Sequence, residues 1–189
     1  MDGVDEIAVG WVPYRGIMHR IVTTLPTLLR GRTARAKARR GGRYLSIVKE
    51  QLRCRHLLRQ MFSVETIPRV RYVDHHTTHM ACAYFMSPFD QAALLSIDGT
   101  GEYQTCVLGT CTDGRFREIQ SIKFPQSLRH LYSVFTSFLG FRPNSGEGKI
   151  MALAAYGKPS YVGAINSVVR FDGAARALCC DRRYIDYHS

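Results

Sequence analysis

The stretch HHTTHMACAYFMSPFDQAALLSIDGTGEYQT (75–105) contains a histidine-rich helix signal, a buried strand signal and a glycine-rich turn. His75 and His79 are four residues apart, which places both imidazoles on one face of a helix running to Phe85. The apolar run AALLSID (92–98) is typical of a buried strand, and it ends at an acid. This order predicts a helix followed by a buried strand that ends at Asp98.

Two further strands follow this turn. The segments YQTCVLGTC (103–111) and RFREIQSIKF (115–124) alternate in character, and Thr112-Asp113-Gly114 between them is a strong hairpin signal. Residues 92–124 therefore predict a three-stranded antiparallel meander.

Elsewhere the chain alternates helix and strand signals, which predicts an α/β fold. Pro26 is expected to bend or break the first predicted helix, and Gly140 is a plausible helix end. Helices are predicted at 15–29, 44–62, 127–139 and 160–170, and strands at 5–12, 69–74 and as a pair within 175–187.

Composition excludes several classes of protein. The 189 residues are 46% hydrophobic and 22% charged, which argues against a disordered, collagenous or coiled-coil chain. No apolar run approaches the roughly 20 residues that span a bilayer, and no secretory signal is visible. Six cysteines without a CxxC pair predict reduced thiols in a cytoplasmic protein, with no cysteine-only zinc site.

The positive charge is confined to one segment. The net charge is +11, and residues 30–71 hold 13 of the 26 Lys and Arg but only two acids. Residues 30–43 are predicted to form an exposed basic insertion or linker. Nucleic-acid binding is the alternative, but few aromatic residues accompany the arginines, so nucleic acid is not the expected partner.

Two motifs carry candidate chemistry. His75 and His79 could share a metal ion if a further ligand, usually a carboxylate, joins them; surface histidines at a helix start are the alternative. Asp98 ends the predicted strand, and Gly99 and Gly101 could turn backbone N–H groups toward an anion. The turn resembles a phosphate hairpin, which implies that Asp98 would face a metal or phosphate. A type I′ hairpin at Asp98-Gly99 is the competing interpretation.

The segment NSGEGK (144–149) is the second motif. It lacks the P-loop spacing. It could offer helix N–H groups and Lys149 to a phosphate, or it could be an ordinary helix start capped by Asn or Ser.

In this order, the motifs resemble the NodU/CmcH-type carbamoyltransferases. The resemblance is carried by residues 75–105 and by FPQSLRHLYSVFTSFLGFRPNSGEGKIMALAAYGKPSY (124–161), and its best-matching core spans 70–161. It implies an actin-like (ASKHA) transferase lobe, incomplete at both ends, with residues 1–189 as a partial N-terminal domain. The DGTG turn also resembles the phosphate hairpin of that superfamily.

The resemblance also implies the site residues. A divalent, iron-type metal would bind His75, His79 and Asp98, and Asp98 and Lys149 would be the catalytic residues. Two loops would lie near carbamoyl-adenylate: Gly99, Thr100, Gly101 and Glu102 in the first, and Asn144, Gly146 and Glu147 in the second. A separate YrdC-like domain would make carbamoyl-adenylate from ATP and carbamoyl phosphate, and a small-molecule hydroxyl would accept the carbamoyl group.

Departures from the family pattern qualify these expectations. Arg129 and Ala152 stand where glycine is usual, which affects loop geometry and acceptor access. The opening family motifs and a later metal-binding aspartate have no counterpart in the chain, so the isolated chain is expected to be inactive. Two other functions remain open: a TsaD-like tRNA threonylcarbamoyl transferase, and a non-catalytic metal-binding remnant.

Overall fold

A computed structural model describes residues 3–28, 49, 53–173 and 177–181. The described part mixes helices and strands, as an α/β chain should. In chain order the elements are β1 (Glu6–Val9), α1 (Ile17–Leu28), α2 (Cys54–Phe62), β2 (Arg69–Tyr72), α3 (His75–Phe85), β3 (Gln91–Ile97), β4 (Gln104–Thr112), β5 (Arg115–Lys123), α4 (Leu128–Phe138), α5 (Glu147–Ala154), α6 (Val162–Val168), β6 (Val169–Asp172) and β7 (Ala177–Cys180).

The predicted meander is confirmed as a three-stranded antiparallel sheet in the order β3-β4-β5. Its hairpin turn holds Asp113 and Gly114 at φ 49° and 72°, the left-handed conformation that this turn requires. The sheet packs one face against α3, through a core of Met80, Tyr84, Leu94, Val107 and Cys111. Helix α3 is thereby fixed against the strand that ends at Asp98.

Two smaller strand pairs complete the described fold. Strands β1 and β2 pair in parallel, with Glu6 opposite Arg69 and Val9 opposite Tyr72. The chain leaves β1 toward Gly10 and leaves β2 toward the start of α3. The parallel pair therefore brings residues 10–12 close to the first turn of α3.

Several predicted boundaries need correction. Helix α1 continues to Leu28, so Pro26 does not break it; a proline in the last turn removes a single helical hydrogen bond. The helix predicted at 160–170 ends at Val168, where β6 begins, and β7 pairs with β6. Of the strand pair predicted within 175–187, one strand is present as β7, and residues 182–187 lie outside the described residues.

Some expectations lie outside the described residues. The basic insertion 30–43 is one of them, and the predicted helix 44–62 is described at Lys49 and from Cys54 onward. All six cysteines are described and carry free thiols. Among the described helices, none has the length and apolar character needed to cross a membrane.

Candidate metal centre

Helix α3 presents two histidines on one face. Asp74 caps the helix by accepting a hydrogen bond from the Thr77 N–H at 3.2 Å. One turn apart, His75 and His79 bring their Nε2 atoms within 3.1 Å of each other. His76 points away into the core, as the helical geometry predicts.

Asp98 completes a cluster of three potential ligands. Its Oδ2 lies 2.7 Å from Nε2 of His75 and 3.8 Å from Nε2 of His79. One ligand atom from each of the three residues lies within 4.8 Å of the others, and no comparable second cluster occurs in the described part of the chain. The structure thus brings together all three residues that the sequence predicted as metal ligands.

The surroundings of Asp98 favour its charged form. Partial burial acts to raise the pKa of this carboxyl group. Hydrogen bonds from His75 and the Gly99 N–H, together with the charge of Arg129, outweigh burial and hold the pKa below its ordinary value. A deprotonated carboxylate is the form that binds a metal ion.

The donor set fits a divalent metal. His75 Nδ1 faces the Gly10 carbonyl at 3.4 Å, so a proton on Nδ1 has an acceptor when a metal replaces the hydrogen bond from His75 Nε2 to Asp98. The Gly99 N–H donates to Oδ1 of Asp98, which leaves Oδ2 directed toward the histidines. Two imidazoles and one carboxylate with open positions are typical of non-haem iron(II) sites.

The glycine-rich loop between β3 and β4 spans residues 98–103. It is too long for a two-residue type I′ hairpin, so the hairpin interpretation of Asp98-Gly99 is wrong. The Gly101 N–H donates to the Gln104 carbonyl at 2.8 Å, while the Gly99 N–H is used by Asp98. Both glycine N–H groups are therefore engaged within the loop, and Thr100 between them is half-buried.

Gly99 and Gly101 each allow a different neighbour to lie close to the loop backbone. A Cβ on Gly101 would lie 3.1–3.2 Å from ring and Cβ atoms of His75 and His76, so the loop can pass α3 only without a side chain. A Cβ on Gly99 would meet the end of the flexible Arg129 side chain.

We expect Gly101→Ala to weaken divalent-metal binding about tenfold, because the added methyl group displaces His75 from Asp98. Gly163→Ala in α6 is the matched control: nothing lies within 4 Å of a Cβ added there, so the contacts of the ligands are unchanged and affinity should change less than about threefold. Titration of both variants with Co(II) checks this. Equal affinities for the two variants would contradict the packing argument.

Glu102 is fully buried. Its Oε1 accepts hydrogen bonds from the backbone N–H of Val12 at 2.8 Å and of His75 at 3.2 Å. The carboxylate is thus turned into the protein and joins the loop to the segment after β1 and to the first turn of α3.

The second motif begins helix α5. Gly146 is its N-cap without a side-chain cap, so a start capped by Asn or Ser is wrong. Instead Glu147 reaches back: its Oε1 accepts from the Asn144 N–H at 2.7 Å and from Ser133 Oγ at 2.8 Å. Lys149 is exposed in the first turn, and no hydrogen bond or ion pair joins it to the described residues of the metal cluster.

Glu147 should make stability depend on pH. The hydrogen bonds from Ser133 and Asn144 lower its pKa from the ordinary 4.5. The stabilisation is therefore present above about pH 4.5 and is lost as pH falls through the lower folded-state value. We expect Glu147→Gln to destabilise the chain near pH 7 and to approach the wild type below pH 4.

Denaturant unfolding at several pH values measures this effect. Glu65→Gln is the control, since Glu65 is exposed in the segment between α2 and β2. A gap between wild type and Glu147→Gln that stays constant from pH 7 to pH 4 would rule out the pKa argument.

Residues that connect the motifs are not evident from the sequence. Ser127, the N-cap of α4, donates from Oγ to the Gly99 carbonyl at 2.9 Å and connects the segment 124–161 to the 98–103 loop. Arg129 lies with Nε 3.8 Å from Asp98 Oδ1, and its charge also lowers the pKa of Glu147. A serine before a helix signals a cap, but the sequence does not reveal what that cap contacts.

The described fold and site define a mixed α/β protein with a two-histidine, one-carboxylate cluster beside a glycine-rich loop. The sequence model described as "Carbamoyltransferase N-terminus" matches residues 29–184. The chain belongs to this carbamoyltransferase N-terminal family, and the predicted resemblance is confirmed.

The chain is also similar to several curated proteins. An uncharacterised protein of Synechocystis is 46% identical over 99 residues, 52% of this chain and 16% of that protein. An uncharacterised protein of Methanocaldococcus jannaschii is 37% identical over 106 residues, 48% of this chain and 17% of that protein. The nodulation protein NolNO of Sinorhizobium fredii is 34% identical over 111 residues, 58% of this chain and 16% of that protein. The matched segments thus span about a sixth of these relatives.

Proposed function

We propose that the chain forms the metal- and adenylate-binding part of an O-carbamoyltransferase with an actin-like fold. The observation that carries the proposal is the convergence of His75, His79 and Asp98 beside the 98–103 loop. Membership of the carbamoyltransferase N-terminal family supports the type of reaction. The acceptor would be a small-molecule hydroxyl, and the protein would act in the cytoplasm.

The three clustered side chains would hold a divalent, iron-type metal. Such an ion supplies Lewis-acid polarisation of a bound carbonyl or phosphoryl oxygen. His75 and His79 contribute neutral donors, while Asp98 contributes the one negative charge. Asp98 would thus act as a ligand, and its contact with Arg129 leaves the local charge close to balanced before an ion binds.

An anionic adenylate needs positive charge beside this centre. Because the Gly99 and Gly101 N–H groups are engaged within the loop, the charge would come from Arg129 and Lys149. Arg129 packs over Gly99 with about half of its side chain exposed. The phosphate would bind beside Thr100 and Arg129, and the 144–147 turn would form the far side of the site.

The reaction itself is an acyl transfer. The acceptor oxygen attacks the carbamoyl carbon, the bond from that carbon to the phosphate oxygen of AMP breaks, and AMP leaves as an anion. The hydroxyl proton passes to a base or to solvent. Positive charge near the leaving phosphate stabilises the transition state, which is the role proposed for Lys149. A YrdC-like domain would supply the carbamoyl-adenylate from ATP and carbamoyl phosphate.

Binding of Co(II) and AMP to the purified chain tests the proposal. Co(II) is a stable substitute for Fe(II), and AMP is the proposed leaving group. We expect Co(II) to bind, His79→Ala to weaken binding by about 100-fold, and AMP to bind more tightly when Co(II) is present. His56→Ala, an exposed helical histidine on α2, is the matched control and should bind as the wild type does.

Other outcomes would point to the alternative functions. An AMP affinity that is the same with and without Co(II) would favour a non-catalytic metal-binding chain. Salt-sensitive binding of tRNA through residues 30–71 would favour a tRNA threonylcarbamoyl transferase. Equal Co(II) affinity in the wild type and His79→Ala would reject the metal site itself.

A further inference from the structure

Glu102 is the most deeply buried acid near the metal cluster. Its side chain has no solvent exposure, although a buried carboxylate is costly unless hydrogen bonds compensate it. Both oxygens face the backbone N–H of His75, at 3.2 and 3.4 Å, and Oε1 also accepts from the Val12 N–H at 2.8 Å. A side chain held in this way is not available to bind a substrate.

The backbone N–H of His75 lies at the start of α3, where N–H groups need partners from outside the helix. The first four N–H groups of a helix have no partner within the helix. Asp74 satisfies the N–H of Thr77, and Glu102 satisfies the N–H of His75. A carboxylate at this position also interacts favourably with the helix dipole. Glu102 therefore fixes the backbone of the very residue whose imidazole faces Asp98.

Two contacts make this backbone position important for the imidazole. Gly101, next to Glu102, has no side chain to crowd His75: a Cβ added there would lie only 3.2 Å from the His75 ring. On the other side, the Trp11 ring packs edge-on against the His75 ring, with centroids 5.2 Å apart. Trp11 precedes Val12, which is the other hydrogen-bond donor to Glu102. Gly101 and Trp11 thus flank the His75 ring and form a slot for it. The Glu102 carboxylate anchors both sides of this slot.

We propose that Glu102 is a positioning residue for the metal ligand His75. This inference rests on the proposed metal site. Without the Glu102 oxygens, the first turn of α3 and residues 11–12 lose their common anchor, and His75 Nε2 is no longer held toward Asp98. Metal affinity should fall even where the fold survives.

Three substitutions separate anchoring from charge. Glu102→Gln keeps an oxygen that can accept from both Val12 and His75, so affinity for Co(II) should stay within about threefold of the wild type. Glu102→Ala removes both bonds and should weaken Co(II) binding at least about tenfold, as loss of supporting contacts typically does. Glu102→Asp keeps the charge but retracts the oxygens by about 1.5 Å, so it should resemble Glu102→Ala.

The control must be an equally buried polar residue outside the metal cluster. Gln104 is fully buried, and its side chain donates to Glu118 at 3.0 Å. Gln104→Leu should lower thermal stability but leave Co(II) affinity within about threefold. This comparison separates loss of ligand position from general destabilisation.

Trp11 provides a readout without metal. It is the single tryptophan of the chain, so its emission reports on the slot around His75. We expect the metal-free emission to shift in Glu102→Ala and Glu102→Asp, and to stay unchanged in Glu102→Gln and Gln104→Leu.

The outcomes distinguish this inference from the proposed function. If His79→Ala weakens Co(II) binding while Glu102→Ala and Glu102→Asp match the wild type in affinity and emission, the positioning role is wrong and the metal site stands. If no variant, including His79→Ala, alters Co(II) binding, the metal site and the role of Glu102 both fall. If Glu102→Ala does not fold, the Co(II) affinity and emission of Glu102→Asp decide between these outcomes.

Discussion

Asp98→Asn should weaken Co(II) binding to the chain by about 100-fold, or roughly 2.7 kcal/mol. The substitution removes the one anionic donor among the three clustered side chains. It also leaves the charge of Arg129, with Nε 3.8 Å from Asp98 Oδ1, without its counterion. Both changes disfavour a divalent cation at the same point, so the loss should match the one expected for His79→Ala.

The physical argument depends on the state of Asp98 before metal binds. Because its pKa is already below the ordinary value, the carboxylate is charged across the neutral range. A metal ion then displaces hydrogen-bonding contacts to His75 and does not need to expel a proton from Asp98. Asparagine at the same position keeps an oxygen acceptor for the Gly99 N–H but brings no charge. The loss should therefore be electrostatic, and the loop should keep its shape.

Calorimetric titration with Co(II) measures the affinity, and cobalt absorbance in the visible range reports the coordination. Asp113→Asn is the matched control. Asp113 is exposed in the β4–β5 turn at φ 49°, a conformation that asparagine also tolerates, so the same chemical change occurs far from the cluster. Undiminished binding in Asp98→Asn would remove Asp98 from the ligand set.

Local sequence signals predict the histidine pair and the strand end at Asp98, whereas only the family resemblance joins the three residues in one metal site. A four-residue histidine spacing fixes one helix face, and an apolar run that ends in an acid fixes one strand end. Asp98 and His75 meet because β3 packs beside α3, an arrangement that the buried positions of both elements favour. The alternating strands after Asp98 likewise predict the meander, since each hairpin is a short-range event.

The sequence does not predict the contacts that hold the cluster in place. Glu102 bonds to the backbone N–H groups of His75 and Val12, which are 27 and 90 positions away. Backbone donors cannot be recognised from residue types, so the sequence is equally compatible with Glu102 as a substrate-binding residue. Arg129 is similar: the sequence shows an arginine where glycine is usual, but not that its guanidinium packs over Gly99.

The ends of helices and strands are also difficult to predict from the local sequence. Val168 and Val169 are both apolar and β-branched, so nothing in the local sequence marks the change from α6 to β6 between them. Strand β6 exists because β7 pairs with it, in the register Val169 with Cys180. Tertiary pairing, rather than local preference, decides this boundary.

His76→Ala should cost about 3–4 kcal/mol of unfolding free energy, the largest stability effect that we expect from a single substitution near the site. The His76 side chain is fully buried, with Nδ1 2.7 Å from Ser96 Oγ and Nε2 3.0 Å from the Gln104 carbonyl. A neutral ring satisfies both partners by donating from Nε2 and accepting at Nδ1. Alanine leaves a cavity and two buried polar groups without this partner.

Urea unfolding of the two proteins measures the difference, and His56→Ala, an exposed histidine on α2, should change stability by less than about 0.5 kcal/mol. If His76→Ala does not fold, Ser96→Ala provides the graded test, with an expected loss of about 1 kcal/mol for one hydrogen bond. Small effects from both would show that the buried histidine bridge is not a structural support. Of the three histidines in HHTTH, the buried one thus supports the fold, while the other two are the proposed metal ligands.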